Sequence, residues 1–281
     1  MEISLPLAGS GIRGIRFFKE LNKGIIKNIC FNDIDKKSAD MIKYNLKSNN
    51  IKSNRYEISN EDANLFLLKS KGFDYIDIDP FGSPNPFLDA AIKKIRRNGI
   101  LAVTATDTAP LAGTYPEACK RKYWALPLRN ELKHEIGIRI LTRKIQLIGA
   151  QYDRALIPVF SYFKDHYYRI FLINNKGKKK ADGIIKQHGN FNGSGPMWLG
   201  RLWDKELVDK MYSNMPDKFL KTIKEESKID TVGFYDIHEL CRKHKLNIPK
   251  IDKLLKYGSR TIFNEFGLKT KLKEKEIIKK N

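Results

Sequence analysis

The stretch FDYIDIDPFGSP, Phe73–Pro84, ends an apolar segment with a carboxylate, a proline and an aromatic ring side by side. A turn after a strand needs Pro80 and Gly82, but it does not need Asp79 or Phe81. An exocyclic amine of a nucleobase is a poor nucleophile because its lone pair is delocalised into the ring. Asp79 can accept one N–H of such an amine and the carbonyl of Pro80 the other, while Phe81 offers a face for stacking. We therefore predict that these three residues grip an amino-bearing base.

Two points about this segment stay open in the sequence. Asp79 either removes a proton from the amine or only orients it. The structural alternative is an Asp-Pro turn followed by a core phenylalanine. Asp77, which alternates with Ile78 along the strand, is the acid that we expect to serve structure.

Three more candidate ligand-binding segments follow predicted strands, at the carboxyl ends where parallel sheets bind their ligands. A glycine-bearing turn, LAGSGIRG, follows the first strand and includes Ala8, Gly9, Gly11 and Arg13. Its spacing departs from the dinucleotide fingerprint, and glycine-rich turns also serve packing. Asp33 and Ile34 follow the second strand, where an acid accepts hydrogen bonds from ribose hydroxyls. Asp62 and Ala63 follow the third strand, where a carboxylate can accept an adenine amine.

Helix capping is the alternative for both acids, because Asp33 and Asp35 precede one predicted helix and Asp62 precedes another. Taken together with Asp79, however, the acids at the ends of three successive strands predict a pocket for an adenosine with a cationic tail. An electrophilic methyl in that tail would lie beside the gripped amine.

Strand and helix patterns alternate over the first two-thirds of the chain, which predicts an α/β fold with a doubly wound, Rossmann-like parallel sheet. We expect strands over 2–7, 25–33, 54–59, 73–79 and 98–106, and helices over 11–22, 36–50, 60–70, 85–97 and about 130–150. Two more strands, 154–163 and 166–174, are joined by a link too short for anything but antiparallel pairing. Five parallel strands plus a C-terminal hairpin are typical of the class I methyltransferase sheet.

The composition changes at the basic segment 174–183, which we interpret as a linker. The remainder reads as mostly helical, with SGPMWLGRLWD as an aromatic loop. The segment 234–256 has a helix-turn-helix pattern, and RTIFNEFGLKT after it resembles a wing. These patterns predict a smaller C-terminal α/β domain of winged-helix type.

The formal charge of +21 on 281 residues favours a nucleic-acid partner. No apolar run reaches the roughly 18 residues that cross a membrane, and the N-terminus lacks the pattern of a signal peptide. Three distant cysteines fit a cytoplasmic protein and neither a disulfide framework nor a zinc site. HEIGIR, 134–139, lacks the second histidine of a zinc protease. We predict no metal and no membrane association.

Basic and aromatic residues alternate in the segment 107–129 in a way that suits RNA phosphates and unstacked bases. The basic ones are Lys120, Arg121, Lys122 and Arg129, and the aromatic ones are Tyr115, Tyr123 and Trp124. Burial of Tyr123 and Trp124 in the core is the alternative.

The chain resembles the archaeal and eukaryotic tRNA (guanine-26 N2)-dimethyltransferase family from about Leu5 to its C-terminus. The similarity is carried by SGIR, ND, DA, DPFGSP, VTATDTAPLAG, RKYWALPLRNELKHEIGIR, GPMWLG and RTIFNEFGLKT. It implies S-adenosylmethionine as methyl donor and tRNA as substrate. It also implies that Arg13, Asp33, Asp62 and Ala63 contact the donor. A methyltransferase domain would span 1–175 and a tRNA-binding domain 176–281.

Two departures from the family bear on activity. The family has a cofactor- and tRNA-contacting segment before the first strand, and an aspartate where this chain has Leu5. The chain would then be a gene fragment, half of a split enzyme or inactive alone, and we expect a separate polypeptide to supply the missing segment. Without such a partner we expect a monomer. The alternatives are a non-catalytic tRNA-binding subunit and an enzyme that methylates another RNA amine.

Overall fold

The computed structural model describes residues 1–22 and 24–280. Twelve strands are described: β1 Glu2–Leu5, β2 Asn28–Asn32, β3 Tyr56–Ser59, β4 Phe73–Ile78, β5 Ile95–Ala105, β6 Arg154–Lys164, β7 Tyr167–Lys176, β8 His188–Phe191, β9 Ser194–Trp198, β10 Tyr235–Asp236, β11 Gly258–Arg260 and β12 Gly267–Thr270. The described helices are α1 Ile12–Glu20, α2 Lys36–Ser48, α3 Ala63–Lys69, α4 Asn85–Lys94, α5 Thr108–Leu111, α6 Pro116–Tyr123, α7 Lys133–Ala150, α8 Lys178–Ile185, α9 Lys205–Asn214, α10 Lys218–Glu226, α11 Ile237–His244 and α12 Glu274–Ile278.

Seven strands form one sheet in the order β3-β2-β1-β4-β5-β7-β6. The pairs β1–β2, β1–β4, β2–β3 and β4–β5 are parallel. The two-residue link between β6 and β7 makes that pair antiparallel. This is the predicted α/β, doubly wound fold, with five parallel strands and a C-terminal hairpin, and the prediction is confirmed. The strand order reverses between β1 and β4, so the carboxyl ends of these two strands flank the crevice in which such sheets bind ligands.

The core beneath this crevice explains why α1 has a glycine at position 14. Ile3, Leu5, Ile15 and Phe31 lie in one buried cluster with residues of α2. A Cβ at Gly14 would lie 2.4 Å from the ring of Phe31, so α1 can approach β2 this closely only with glycine there.

The predicted boundary between α4 and β5 is wrong. The helix ends at Lys94, and β5 begins at Ile95 rather than at Asn98. Ile95 pairs with Phe73 of β4 and is buried, so sheet pairing outweighs the helical pattern of the segment. The pairing register shifts beyond Phe73, and Asn98 within this irregular stretch has a φ of 61°.

Three predictions for the C-terminal part of the chain are also wrong. The segment interpreted as a linker contains the end of β7 and most of α8. The aromatic loop begins with β9, which pairs antiparallel with β8. The second helix of the predicted helix-turn-helix is replaced by two 3-10 turns, 251–253 and 255–257, after Pro249. The wing is confirmed as the antiparallel hairpin β11–β12, to which β10 adds a third strand.

The chain forms two compact units, each built from several segments. The first comprises 1–107, 145–157 and 171–186, and the second comprises 108–144, 158–170 and 187–281. The predicted functional division at residue 175 stays a prediction. Within the described residues, none of the helices is long and apolar enough to span a bilayer.

Candidate active site

The turn after β1 is fixed by backbone contacts that leave one side of it open. The N–H of Gly9 donates to Asp33 Oδ2 at 2.8 Å, and the N–H of Ala8 donates to the carbonyl of Asn32 at 2.9 Å. Gly9 and Gly11 have φ angles of 53° and 74°, which glycine adopts without strain. No atom lies within 4 Å of the position that a Cβ on Gly9 would take, so a ligand can approach this backbone closely.

Asp33 is not the N-cap of α2. That role belongs to Asp35, whose carboxylate accepts a hydrogen bond from the N–H of Ser38. Asp33 instead accepts N–H groups from Gly9 and, at 3.0 Å, from Asp35. The capping alternative therefore fails for Asp33, whose carboxylate lies beside the glycine turn. Ile34, the next predicted contact, is 69% exposed.

Asp62 caps α3, accepting hydrogen bonds from the N–H groups of Asn64 and Leu65. Both bonds go to Oδ1, and Oδ2 accepts no hydrogen bond from the described residues. The cap thus fixes the side chain while one oxygen stays open to a ligand. Ala63, at the start of α3, is buried.

Asn32 joins these loops, although the sequence analysis did not single it out. The buried side chain donates from Nδ2 to the carbonyls of Pro6 and Glu61, at 3.0 and 2.9 Å. Its Oδ1 accepts the N–H of Glu61 at 3.2 Å. One amide therefore ties the turn after β1 to the loop after β3. A polar residue at the end of the apolar strand NICFN was the signal that could have identified it.

Arg13 connects the two aspartates of β4 and its following turn. Its guanidinium contacts Asp77 Oδ1 at 3.0 Å and Asp79 Oδ2 at 2.7 Å. Asp77 is 2% exposed and also accepts the hydroxyl of Tyr75 at 3.0 Å, so it is a structural acid, as expected. It anchors Arg13, which in turn holds one oxygen of Asp79. This bridge was not predicted.

The turn after Asp79 is fastened to the end of β5. Thr106 Oγ1 accepts the N–H of Gly82 at 2.6 Å, and the N–H of Thr106 donates to the carbonyl of Gly82 at 3.0 Å. Gly82 has a φ of 88°. Phe81 is fully exposed, so the alternative of a core phenylalanine is wrong. Thr106 is a further residue that the sequence analysis did not identify with the site.

The first unit thus places the predicted residues at the carboxyl ends of β1, β2, β3 and β4, on the side of the sheet where the order reverses between β1 and β4. The glycine turn offers accessible backbone, and Asp33 and Asp62 offer carboxylate acceptors, which fit the adenosine of S-adenosylmethionine. Asp79 and Phe81 offer an acceptor and a ring face to a planar amine.

Basic and aromatic residues of the second unit divide differently from the prediction. Tyr123 is fully buried in the core, so its assignment to an RNA surface is wrong. Tyr115 and Trp124 are 61% and 48% exposed.

Glu135 and Arg139 of the HEIGIR segment are buried and ion-paired at 2.9 Å.

Comparisons with known proteins agree on one family. The family model described as N2,N2-dimethylguanosine tRNA methyltransferase matches residues 1–192 and 185–280. A tRNA (guanine(26)-N(2)/guanine(27)-N(2))-dimethyltransferase of Aquifex aeolicus is 41% identical over 323 aligned positions, which cover 100% of this chain and 82% of that protein. A tRNA (guanine(26)-N(2))-dimethyltransferase of Methanocaldococcus jannaschii is 37% identical, with coverage of 98% and 83%.

A solved structure gives the same result. Trm1 from Pyrococcus horikoshii, in complex with S-adenosyl-L-methionine, superposes with a TM-score of 0.91 at 33% sequence identity. The match covers 99% of this chain and 88% of that one. The chain belongs to the N2,N2-dimethylguanosine tRNA methyltransferase family.

Proposed function

We propose that this chain transfers methyl groups from S-adenosylmethionine to the exocyclic N2 of guanine 26 in tRNA, with Asp79, Pro80 and Phe81 holding the guanine. The observation that carries the proposal is that a carboxylate with only one of its oxygens bound lies next in the chain to an exposed phenyl ring. Arg13 occupies Oδ2 of Asp79, and Oδ1 has no hydrogen-bond partner among the described residues. Phe81 beside it is fully exposed.

The donor end of the site would be formed by Gly9, Gly11, Asp33, Asp62 and Ala63. Asp33 suits the ribose hydroxyls, Asp62 an adenine amine, and the open backbone at Gly9 a close approach of the ligand. When bound, S-adenosylmethionine supplies a methyl group on a sulfonium, which is the electrophile. Ala8 and Ile34 belong to the same turns, and Arg13 borders the site.

The acceptor end would act on the amine by orientation. Asp79 Oδ1 accepts one N–H of guanine N2, and the carbonyl of Pro80, which accepts no hydrogen bond from the described residues, takes the other. Both contacts favour a tetrahedral nitrogen whose lone pair is free for the methyl group. Asp79, as the carboxylate that holds one of these N–H groups, would take the proton that leaves N2.

The guanine must leave its stack to reach this site, because N2 lies in the minor groove of a paired or stacked base. Phe81 compensates for part of the lost stacking, about 1–3 kcal/mol per base on an aromatic face. The formal charge of +21 suits the polyanionic partner.

The test is incubation of the purified chain with isotopically labelled donor and a tRNA transcript, followed by mass analysis of the nucleosides. We expect N2-methyl- and N2,N2-dimethylguanosine at position 26, and none with a transcript that carries adenine there. Asp79→Asn should abolish product while tRNA binding persists. Methylation that survives the loss of guanine 26 would contradict the proposed site of action.

Methylation of guanine 27 in addition is a second candidate, because the relative from Aquifex aeolicus is named for both positions. Mapping of the modified nucleosides by fragment mass distinguishes the two. A transcript with guanine at both positions should then carry modification at 27 as well as at 26.

A further inference from the structure

Two neighbouring cations of α7, one buried and one half-buried, have no anionic partner among the described residues. Lys144 is 6% exposed, and Arg143 is half-buried with a buried Nε that has no hydrogen-bond partner. No carboxylate of the described residues pairs with either side chain. Burying charge without a partner costs free energy, so an arrangement of this kind needs an explanation.

Trp124 is the residue that both cations contact. Its carbonyl accepts a hydrogen bond from Arg143 Nη1 at 3.3 Å, and Lys144 Nζ lies 2.9 Å from the centroid of its ring. Trp124 follows the last residue of α6 and has a φ of 56°, in the left-handed region that residues other than glycine adopt at an energetic cost. The residue is 48% exposed. The fold thus presents a large aromatic ring to solvent and covers part of it with an ammonium group.

The electrostatics around Trp124 favour the binding of an anion. Burial and the charge of Arg143 lower the pKa of Lys144 to about 8, and the same two causes lower the pKa of His188 to about 4. Burial also lowers the pKa of Arg143. The charge of Arg143 therefore acts on both Lys144 and His188, and an anion bound beside Arg143 would offset it.

We propose that Arg143, Lys144 and Trp124 bind one nucleotide of the tRNA. The phosphate pairs with Arg143 and Lys144, and the ammonium of Lys144 leaves the indole face, on which a base then stacks. This inference rests on the proposed function and adds a contact with the substrate made by residues of the second unit, none of which is proposed to hold the guanine. In the complex, the phosphate gives the two cations the anionic partner that the described residues do not supply. The base takes the place of the ammonium group on the indole ring.

The charge contribution is tested with Lys144→Met and Arg143→Met. The matched control is Lys210→Met, which removes an exposed lysine of α9. The dissociation constant for tRNA is measured over a range of salt concentrations. Each loss of a phosphate contact should reduce the slope of log K against log salt by about 0.7–0.9 and weaken binding roughly fivefold at physiological salt. The control should keep the wild-type slope. The donor's KM, and kcat at saturating tRNA, should not change in any of the three.

The stacking contribution is tested by intrinsic fluorescence. The other tryptophans, Trp198 and Trp203, are buried and donate hydrogen bonds to the carbonyls of Arg201 and Ser161. Quenching on addition of tRNA should therefore come from Trp124 and be lost in Trp124→Phe, whose tRNA affinity should fall with an unchanged salt slope.

A purely structural role for the cluster gives the opposite pattern. Lys144→Met would then lower the melting temperature and leave tRNA affinity and its salt slope at wild-type values, which would overturn the proposal. Inorganic phosphate could also raise the melting temperature of the wild type while the variants keep the wild-type affinity for tRNA. That result would overturn the proposal as well. In both cases wild-type methylation of guanine would leave the proposed function standing.

Discussion

At the scale of single residues, the candidate site depends on a chain of contacts that begins in the core. Tyr75 holds Asp77, Asp77 holds Arg13, and Arg13 holds one oxygen of Asp79. The burial of Asp77 fixes one end of this series of contacts. The exposure of Phe81 leaves the other end of the site accessible to a ligand. The acceptor is therefore positioned before any substrate arrives, which is how a positioned group contributes to catalysis.

Phe81→Ala should reduce activity without reducing stability. The ring is fully exposed, so its removal takes nothing from the core. A lost stacking contact of about 1–3 kcal/mol corresponds to a decrease in kcat/KM for tRNA of roughly 5- to 150-fold. Methyl transfer and thermal unfolding are measured in parallel. Phe81→Tyr keeps the ring and should retain activity, and an alanine variant with wild-type kcat/KM would contradict the stacking role.

Gly14→Ala should reduce stability, because the added Cβ would lie 2.4 Å from the buried ring of Phe31. Overpacking of this kind costs about 1–3 kcal/mol. Urea unfolding of the variant measures the cost directly. Gly183→Ala in α8 is the matched control, since no atom lies within 4 Å of its added Cβ. The control should be neutral or stabilising, and equal effects of the two substitutions would refute the packing argument.

At the scale of elements, Thr106, which directly follows β5, supports the turn after Asp79 through its hydrogen bonds with Gly82. Thr106→Val keeps the shape of the side chain and removes the hydroxyl acceptor. We expect a loss of stability of only about 1 kcal/mol. A misplaced Asp79 and Phe81 should nevertheless lower kcat by about 10- to 100-fold. Single-turnover kinetics measure the chemical step, and Thr106→Ser should restore it. A valine variant with wild-type kcat would show that the turn holds its shape unaided.

The sequence predicted the sheet because strand and helix patterns alternate along the first two-thirds of the chain, and such alternation produces a parallel sheet covered by helices. It failed where tertiary pairing overrides a local pattern, as at Ile95, which reads as helical and joins β5. It also could not assign Asp33, because Asp33 and Asp35 are equally placed to cap α2. The Arg13 bridge joins residues 64 and 66 positions apart, and nothing local links them before β1 and β4 are adjacent in the sheet.

At the scale of the molecule, the charge of +21 is accompanied by a small buried network of opposite charges in the second unit. Lys269 lies 2.9 Å from Glu135 and 3.8 Å from Glu226, and Arg139 lies 2.9 Å from Glu135. Thr261 donates to Glu226 Oε1 at 2.7 Å. The network joins α7, α10 and β12, so it fixes the C-terminal elements of this unit to the helix that carries HEIGIR.

The pKa values of the two glutamates of the network are shifted in opposite directions. Burial would raise the pKa of Glu135, but Lys269 and Arg139 outweigh it and lower that pKa. Burial raises the pKa of Glu226 to about 7 from its ordinary 4.5, Lys269 opposes the change, and Glu135 adds to it. Between pH 4.5 and 7 the folded protein therefore binds a proton at Glu226 that the unfolded chain does not.

Stability contributed by Glu226 is present below pH 4.5 and is lost as the pH rises to about 7, by roughly 3 kcal/mol at most. Glu226→Gln removes this titration and keeps the size of the side chain. The free energy of unfolding of the wild type should therefore fall relative to that of the variant as the pH rises through this window. Urea unfolding of both proteins at several pH values gives the difference, in which the histidines, common to both, cancel. Glu206→Gln on the exposed face of α9 controls for the loss of one carboxylate. A difference that is constant across the window would mean that Glu226 stays ionised in the folded protein, held so by Lys269.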